Sequence, residues 1–249
     1  MNKTKAKMTH VKDAESFARL IGFCTGYGGI YNPGRPNLQL DALANQLNEM
    51  RMAMEKVIVA KTNYDNIVNH RIQTYHQLPR LVSSILRILE SSGARPEKLD
   101  DARTFAHQLL GVVPKKRLPV PSDNTANTTK PLIHRSQRQL AYVSKADSFS
   151  KLVMAVSTEP LYQPREQIFT QAWLDVKVQE LNGRNREVSD ARALWSKALL
   201  ERNDRMYRNE VSIIRTAQAV KKYVRAIFGH DSANYRLLKT LHFNMPTRK

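Results

Sequence analysis

The chain has 249 residues, of which 41% are hydrophobic and 7% aromatic, and its 40 Lys and Arg outweigh 22 Asp and Glu to give a formal charge of +18. This is too apolar for wholesale disorder and long enough for one large domain or two smaller ones. The single cysteine, Cys24, excludes an intrachain disulfide, and no stretch approaches the roughly 20 apolar residues of a membrane span, so the expectation is a soluble cytoplasmic protein.

The predicted elements are helical throughout. Residues 1–9 read as a flexible basic tail. A first helix over 10–22 places Val11, Phe17, Leu20 and Ile21 on one face. Glycines and prolines from Gly22 to Pro36 then make a loop that includes Tyr31-Asn32-Pro33. Asn37 reads as the N-cap of a long helix carrying Leu40, Leu43, Leu47, Met50, Met54 and Val57. A third helix carries Tyr64, Ile67, Val68, Tyr75, Leu78, Val82, Ile85 and Leu89; it either continues the second or turns near Thr62-Asn63. Pro79 should kink or break it, Gly93 ends it, and Pro96 starts another helix lined by Leu99, Ala102, Phe105, Ala106 and Leu109.

Residues 112–138, with Pro114, Pro119 and Pro121 and a polar run from Ser122 to Thr129, read as a linker. Helices are then expected over about 142–157, 166–182, 187–228 and 232–240, with a possible corner at Gly183, Gly229 closing the long helix and Asp231 or Ser232 capping the last.

The second half repeats the plan of the first. Ala14-Glu15-Ser16-Phe17 is followed fourteen residues on by Tyr31-Asn32-Pro33, and Ala146-Asp147-Ser148-Phe149 is followed thirteen residues on by Tyr162-Gln163-Pro164. The expected fold is therefore all-α, a tandem duplication of a helical-hairpin or four-helix-bundle-like unit with antiparallel long helices. Repeat 1 would span 10–111 and repeat 2 139–245, with 246–249 as a short tail.

Motifs for chemistry are missing from the sequence. The seven histidines form no zinc-ligand spacing, and the Gly-rich stretch Gly22–Gly29 lacks the Gly-Lys-Ser/Thr of a phosphate loop. It reads instead as a tight loop in which Tyr27, Ile30 and Tyr31 cover the end of a bundle. Cys24 has no sequence neighbour that would activate it. The expectation is no enzyme, no cofactor and no metal.

Charge carries the functional reading. Residues 1–111 bear +5, 112–138 bear +5 and 139–249 bear +8, a field that attracts polyanions. On the expected long helix Arg205, Arg208, Arg215, Lys222 and Arg225 recur at three, seven, seven and three residues, away from the apolar seam of Met206, Ile213, Ala217, Val220, Val224 and Ile227. Lys115-Lys116-Arg117 adds a basic cluster in the linker. These eight residues are the candidate phosphate contacts for RNA, DNA or a nucleoprotein. Tyr64, Tyr75, Tyr207, Tyr223 and Tyr235 could stack on bases, although Tyr64 and Tyr75 fall on an apolar seam. The alternative is a structural protein that self-assembles into oligomers or filaments.

Two stretches carry a resemblance: Phe23-Cys24-Thr25-Gly26-Tyr27-Gly28 with Tyr31-Asn32-Pro33, and Val220 to Gly229 with Asp231, Ser232 and Tyr235. They resemble a family of uncharacterised two-repeat helical proteins from Bacteroidota. The resemblance implies the helical fold and transfers no activity or site residue.

Overall fold

The structure, a computed structural model, describes the backbone of residues 3–111 and 135–243 and the side chains of 10–111 and 141–243. Among the described residues every regular element is helical. The α-helices are α1 (Lys3–Gly26), α2 (Leu40–His76), α3 (Leu78–Ser91), α4 (Pro96–Leu110), α5 (Arg135–Ser157), α6 (Gln171–Asn203), α7 (Ile213–Phe228) and α8 (Ala233–Lys239). Prolines set two of the boundaries. Pro79 and Pro96 lie in the first turn of α3 and α4, where an absent N–H leaves no helical bond unmade. Gly229 closes α7 with φ 86°, a conformation that disfavours any residue with a Cβ. Ser232 caps α8 by accepting from the Tyr235 N–H at 3.1 Å.

Four expectations need correcting. Helix α1 begins at Lys3, so most of the expected tail is helical backbone. Asn37 is no N-cap: it lies within a 3-10 turn, Pro36–Leu38, and α2 starts at Leu40. Gly183 makes no corner, because α6 runs through it. Glycine costs a helix interior only about 1 kcal/mol relative to Ala, and the burial of Leu181 and Val188 on either side outweighs that. The expected helix over 187–228 is broken. A π-helical turn, Asp204–Arg208, ends in Asn209 at ψ 152°, and α7 starts only after the extended Ser212 at ψ 151°.

Contacts divide the chain into two units, Met1–Asn63 with Arg192–Lys249 and Tyr64–Ala191. Each unit draws on both halves of the sequence, taking the opening of one half and the close of the other. The cause is that α2 and α6 are unbroken for 37 and 33 residues. Residues 40–63 of α2 fall in one unit and 64–76 in the other, and α6 divides after residue 191.

In the unit of 1–63 and 192–249, Phe17, Leu20 and Cys24 of α1 are buried with Leu43 and Met50 of α2, Ile213, Ala217, Val220 and Val224 of α7, and Leu238 of α8. In the unit of 64–191, Val82, Ile85 and Leu89 of α3 and Ala102, Ala106 and Leu109 of α4 are buried with Phe149, Leu152 and Val156 of α5 and Leu174 and Leu181 of α6. Each core residue sits at the three- and four-residue spacing of one helical face.

The two Tyr-x-Pro loops share their geometry. Tyr31 donates its hydroxyl to the Leu38 carbonyl at 2.7 Å, and Tyr162 donates to the Phe169 carbonyl at 3.1 Å. Each bond spans seven residues over a 3-10 turn, Pro36–Leu38 or Gln167–Phe169. An extended residue then opens the long helix: Leu43 N–H donates to Gln39 and Leu174 N–H to Thr170, both at 3.0 Å. Tyr31 is buried in its loop, while Ile30 is 60% exposed and does not cover the bundle end.

Candidate polyanion-binding face

Helix α7 reads Ile-Ile-Arg-Thr-Ala-Gln-Ala-Val-Lys-Lys-Tyr-Val-Arg-Ala-Ile-Phe and contains four cations and no acid. Ile213, Ala217, Val220 and Val224 bury one face. Arg215, Lys222 and Arg225 recur at seven and three residues, opposite that face, and all three are exposed. Among the described residues no ion pair engages any of them. Lys221 points elsewhere: its ammonium donates to the Leu241 carbonyl and sits 5.3 Å from the Phe243 ring centre. Partial burial holds its pKa below the ordinary lysine value.

The other two arginines of the expected stripe are not on this helix. Arg205 and Arg208 lie in the π turn before the break. Arg205 is paired with Glu49 of α2, and Arg208 sits 3.8 Å from Asp204. Gln46 of α2 also donates to the Val211 carbonyl, which anchors the break itself. The five-residue stripe is thus three residues on α7 and two neutralised neighbours. Lys115, Lys116 and Arg117 lie outside the described residues.

Sequence order hid a further feature. The unit of 1–63 and 192–249 holds 22 Lys and Arg against 9 Asp and Glu. The unit of 64–191 holds 18 against 13, and outside 112–138 it holds 12 of each sign. Arg236 and Lys239 of α8 are also exposed, on a helix that packs against α7.

The tyrosines offered for stacking are largely engaged in the units themselves. Tyr75 is buried and donates to the Tyr142 carbonyl at 3.1 Å, and Tyr223 meets Tyr31 edge-on with centroids 5.5 Å apart. Tyr235 contacts His230, and Tyr207 contacts His10.

Two polar clusters lie within the units. In one, Arg71 is 5% exposed, stacks 4.2 Å from the centre of the Tyr142 ring, and is held below its ordinary pKa by burial. Asn185 donates to the Tyr75 hydroxyl there at 2.9 Å, and burial pushes Tyr75 up to about 12. In the other, the Tyr207 hydroxyl bonds the buried Asp13 and lies 2.6 Å from His10 Nδ1. Donation of Tyr207 to the Asp13 carboxylate leaves His10 Nδ1 as the donor to Tyr207. Cys24 is buried and its thiol is pushed up to about 12 by burial, which keeps it an unreactive thiol at neutral pH. Among the described residues no group of three or more His, Cys, Asp or Glu is placed to hold a metal ion.

Burial, then the nearby Arg202 charge, lower the His10 pKa to about 4. In the unfolded chain the ordinary value is about 6.5. Between these values the unfolded state binds the extra proton, so stability contributed by neutral His10 is full above about 6.5 and is lost as pH falls towards about 4. Thermal melts from pH 7 to 5 should fall more steeply for the wild type than for His10→Gln, which does not titrate. Equal slopes would remove His10 as the source.

No helix among the described residues is long and apolar enough to cross a membrane. No protein-family model, curated protein or solved structure matches this chain.

Proposed function

We propose that this chain is a non-enzymatic binder of nucleic acid or nucleoprotein that acts through phosphate contacts, built as two copies of one helical unit. The observation that carries the function is the segregation of charge: outside 112–138 the net charge is +13, and all of it belongs to the unit of 1–63 and 192–249. A basic surface needed only for solubility has no reason to fall on one of two similarly built units. The duplication is supported by the matching Tyr31 and Tyr162 bonds and by the equivalent starts of α2 and α6.

On this reading Arg215, Lys222 and Arg225 supply phosphate contacts from a face that has no acid of its own. Arginine forks match phosphate oxygens in pairs, and the lysine adds a point charge. Recognition rests on charge neutralisation without base readout, because the tyrosines that could stack on bases are largely committed to internal contacts.

Each neutralised phosphate contributes about 0.9 to the slope of log affinity against log salt on duplex DNA. Replacing Arg215, Lys222 and Arg225 with Ala should weaken binding and flatten that slope by roughly 2–3. Titration of labelled RNA and DNA across a salt series measures both. Absence of wild-type binding at low salt, or an unchanged slope in the triple variant, would sink the proposal.

A further inference from the structure

An open groove of about 530 Å³ lies in the unit of 1–63 and 192–249, lined by Met52, Glu55, Lys56, Val59, Ala60 and Asn63 of α2 and by Leu194 of α6. Three of its apolar members are exposed: Met52 56%, Val59 62% and Leu194 59%. The shared frame does not require them. Counting 131 residues on, the offset that relates Tyr31 to Tyr162 and Leu43 to Leu174, Met52 corresponds to Gly183 and Val59 to Asp190. Helix α6 is built with those residues in place.

The exposed stripe along α2 is a chemical palindrome. Glu55 and Lys56 lie at its centre, flanked at equal distance by Met52 and Val59, then by Asn48 and Asn63. All six are exposed and fall on one helical face. A second α2 laid antiparallel, with its two-fold axis level with the midpoint of Glu55 and Lys56, satisfies every position at once. Met52 then meets Val59 of the second copy, Glu55 meets Lys56, and Asn48 meets Asn63, each pair occurring twice. Such an interface is isologous, and paired asparagines on a helical seam set register. The stripe runs over sixteen residues, from Asn48 to Asn63, about 22 Å of helix.

We infer that this groove is a two-fold self-association site, and that its occupant is the α2 stripe of a second copy of this chain. Charge selects that occupant. The groove carries one acid and one base, so it is neutral within a strongly basic unit and offers a polyanion nothing. Another copy supplies the opposite charge at each position and apolar groups between. The site closes on itself, so it produces dimers and not filaments. This inference stands apart from phosphate binding and does not depend on it.

Sedimentation velocity on the full chain, without nucleic acid, tests the inference with four variants. The wild type should dimerise reversibly. Glu55→Lys places lysine opposite lysine twice and Lys56→Glu places glutamate opposite glutamate, so each should raise the dimer dissociation constant roughly 100-fold. The double exchange E55K/K56E restores both pairs and should restore the dimer. Val59→Asp installs the residue found at the matching position of α6, so it should keep the helical circular dichroism of the wild type while losing the dimer. A wild type that stays monomeric at millimolar concentration overturns the proposal. So does a dimer indifferent to Val59→Asp, or one that the double exchange fails to rescue.

Discussion

A single cut between Ser122 and Thr129 should leave the two fragments bound to each other. The cut separates residues 1–122 from the remainder, yet both units need segments from each side of it. In one unit α1 packs against α7, and in the other α4 packs along α5. Phe17, Leu20 and Leu43 share a core with Val220 and Val224, while Ile85 and Ala106 share one with Phe149 and Leu152. Each fully buried Leu, Ile, Val or Phe contributes about 1.5–3 kcal/mol, so the surfaces joining the fragments are core surfaces. A specific protease site placed in 122–129 and cleaved in the folded protein gives the measurement. The fragments should co-elute as one particle in native buffer and separate only in denaturant. Separation in native buffer would show that each fragment folds on its own.

Phe17→Ala should cost about 3–5 kcal/mol, the range for removing a buried aromatic ring. Phe17 is wholly buried on α1, in a core closed by residues of α7 more than 190 positions later in the chain. The cavity has little scope to collapse, because its walls come from several helices. A loss of that size corresponds to a fall in melting temperature of roughly 10–20 °C for a unit of this length. The control is Ile30→Ala at an exposed position, expected within about 0.5 kcal/mol of the wild type. Calorimetry on both variants decides the matter, and a Phe17→Ala melt equal to that of Ile30→Ala would contradict the burial.

The helices were legible because their apolar residues recur at three and four, and because Pro79, Pro96 and Gly229 punctuate them. The break at Asn209–Ser212 was not. The seam of Met206, Ile213, Ala217, Val220 and Val224 keeps helical phase across it, so periodicity reads straight through four residues that leave the helix. The usable signal was Ser212, a residue type favoured at N-caps and the N-cap of α7, although its side chain makes no capping bond. The pairing of halves was hidden for a different reason. It depends on α2 and α6 having no turn near their midpoints, and the absence of a turn residue says nothing about which distant helix covers which face. For the proposed site, spacing put Arg215, Lys222 and Arg225 on one side of a helix, and all three are exposed there. It also gathered Arg205 to the same stripe, because its partner Glu49 lies 156 residues away, beyond the reach of any local pattern.

The order in which the units close has a consequence for synthesis. The unit of 64–191 is one uninterrupted stretch, so all its parts exist before residues 192–249 are made. The unit that holds the amino-terminal residues is finished last, because α7 and α8 complete its core. At about 5–20 residues per second, Phe17, Leu20 and Leu43 wait on the order of tens of seconds without the surfaces that will cover them. The usual vectorial order, amino-terminal part first, is reversed. Phe17, Leu20 and Leu43 are then the ones most exposed to misassembly on the ribosome, and slowing translation after Ala191 should lengthen that exposure without touching the other unit.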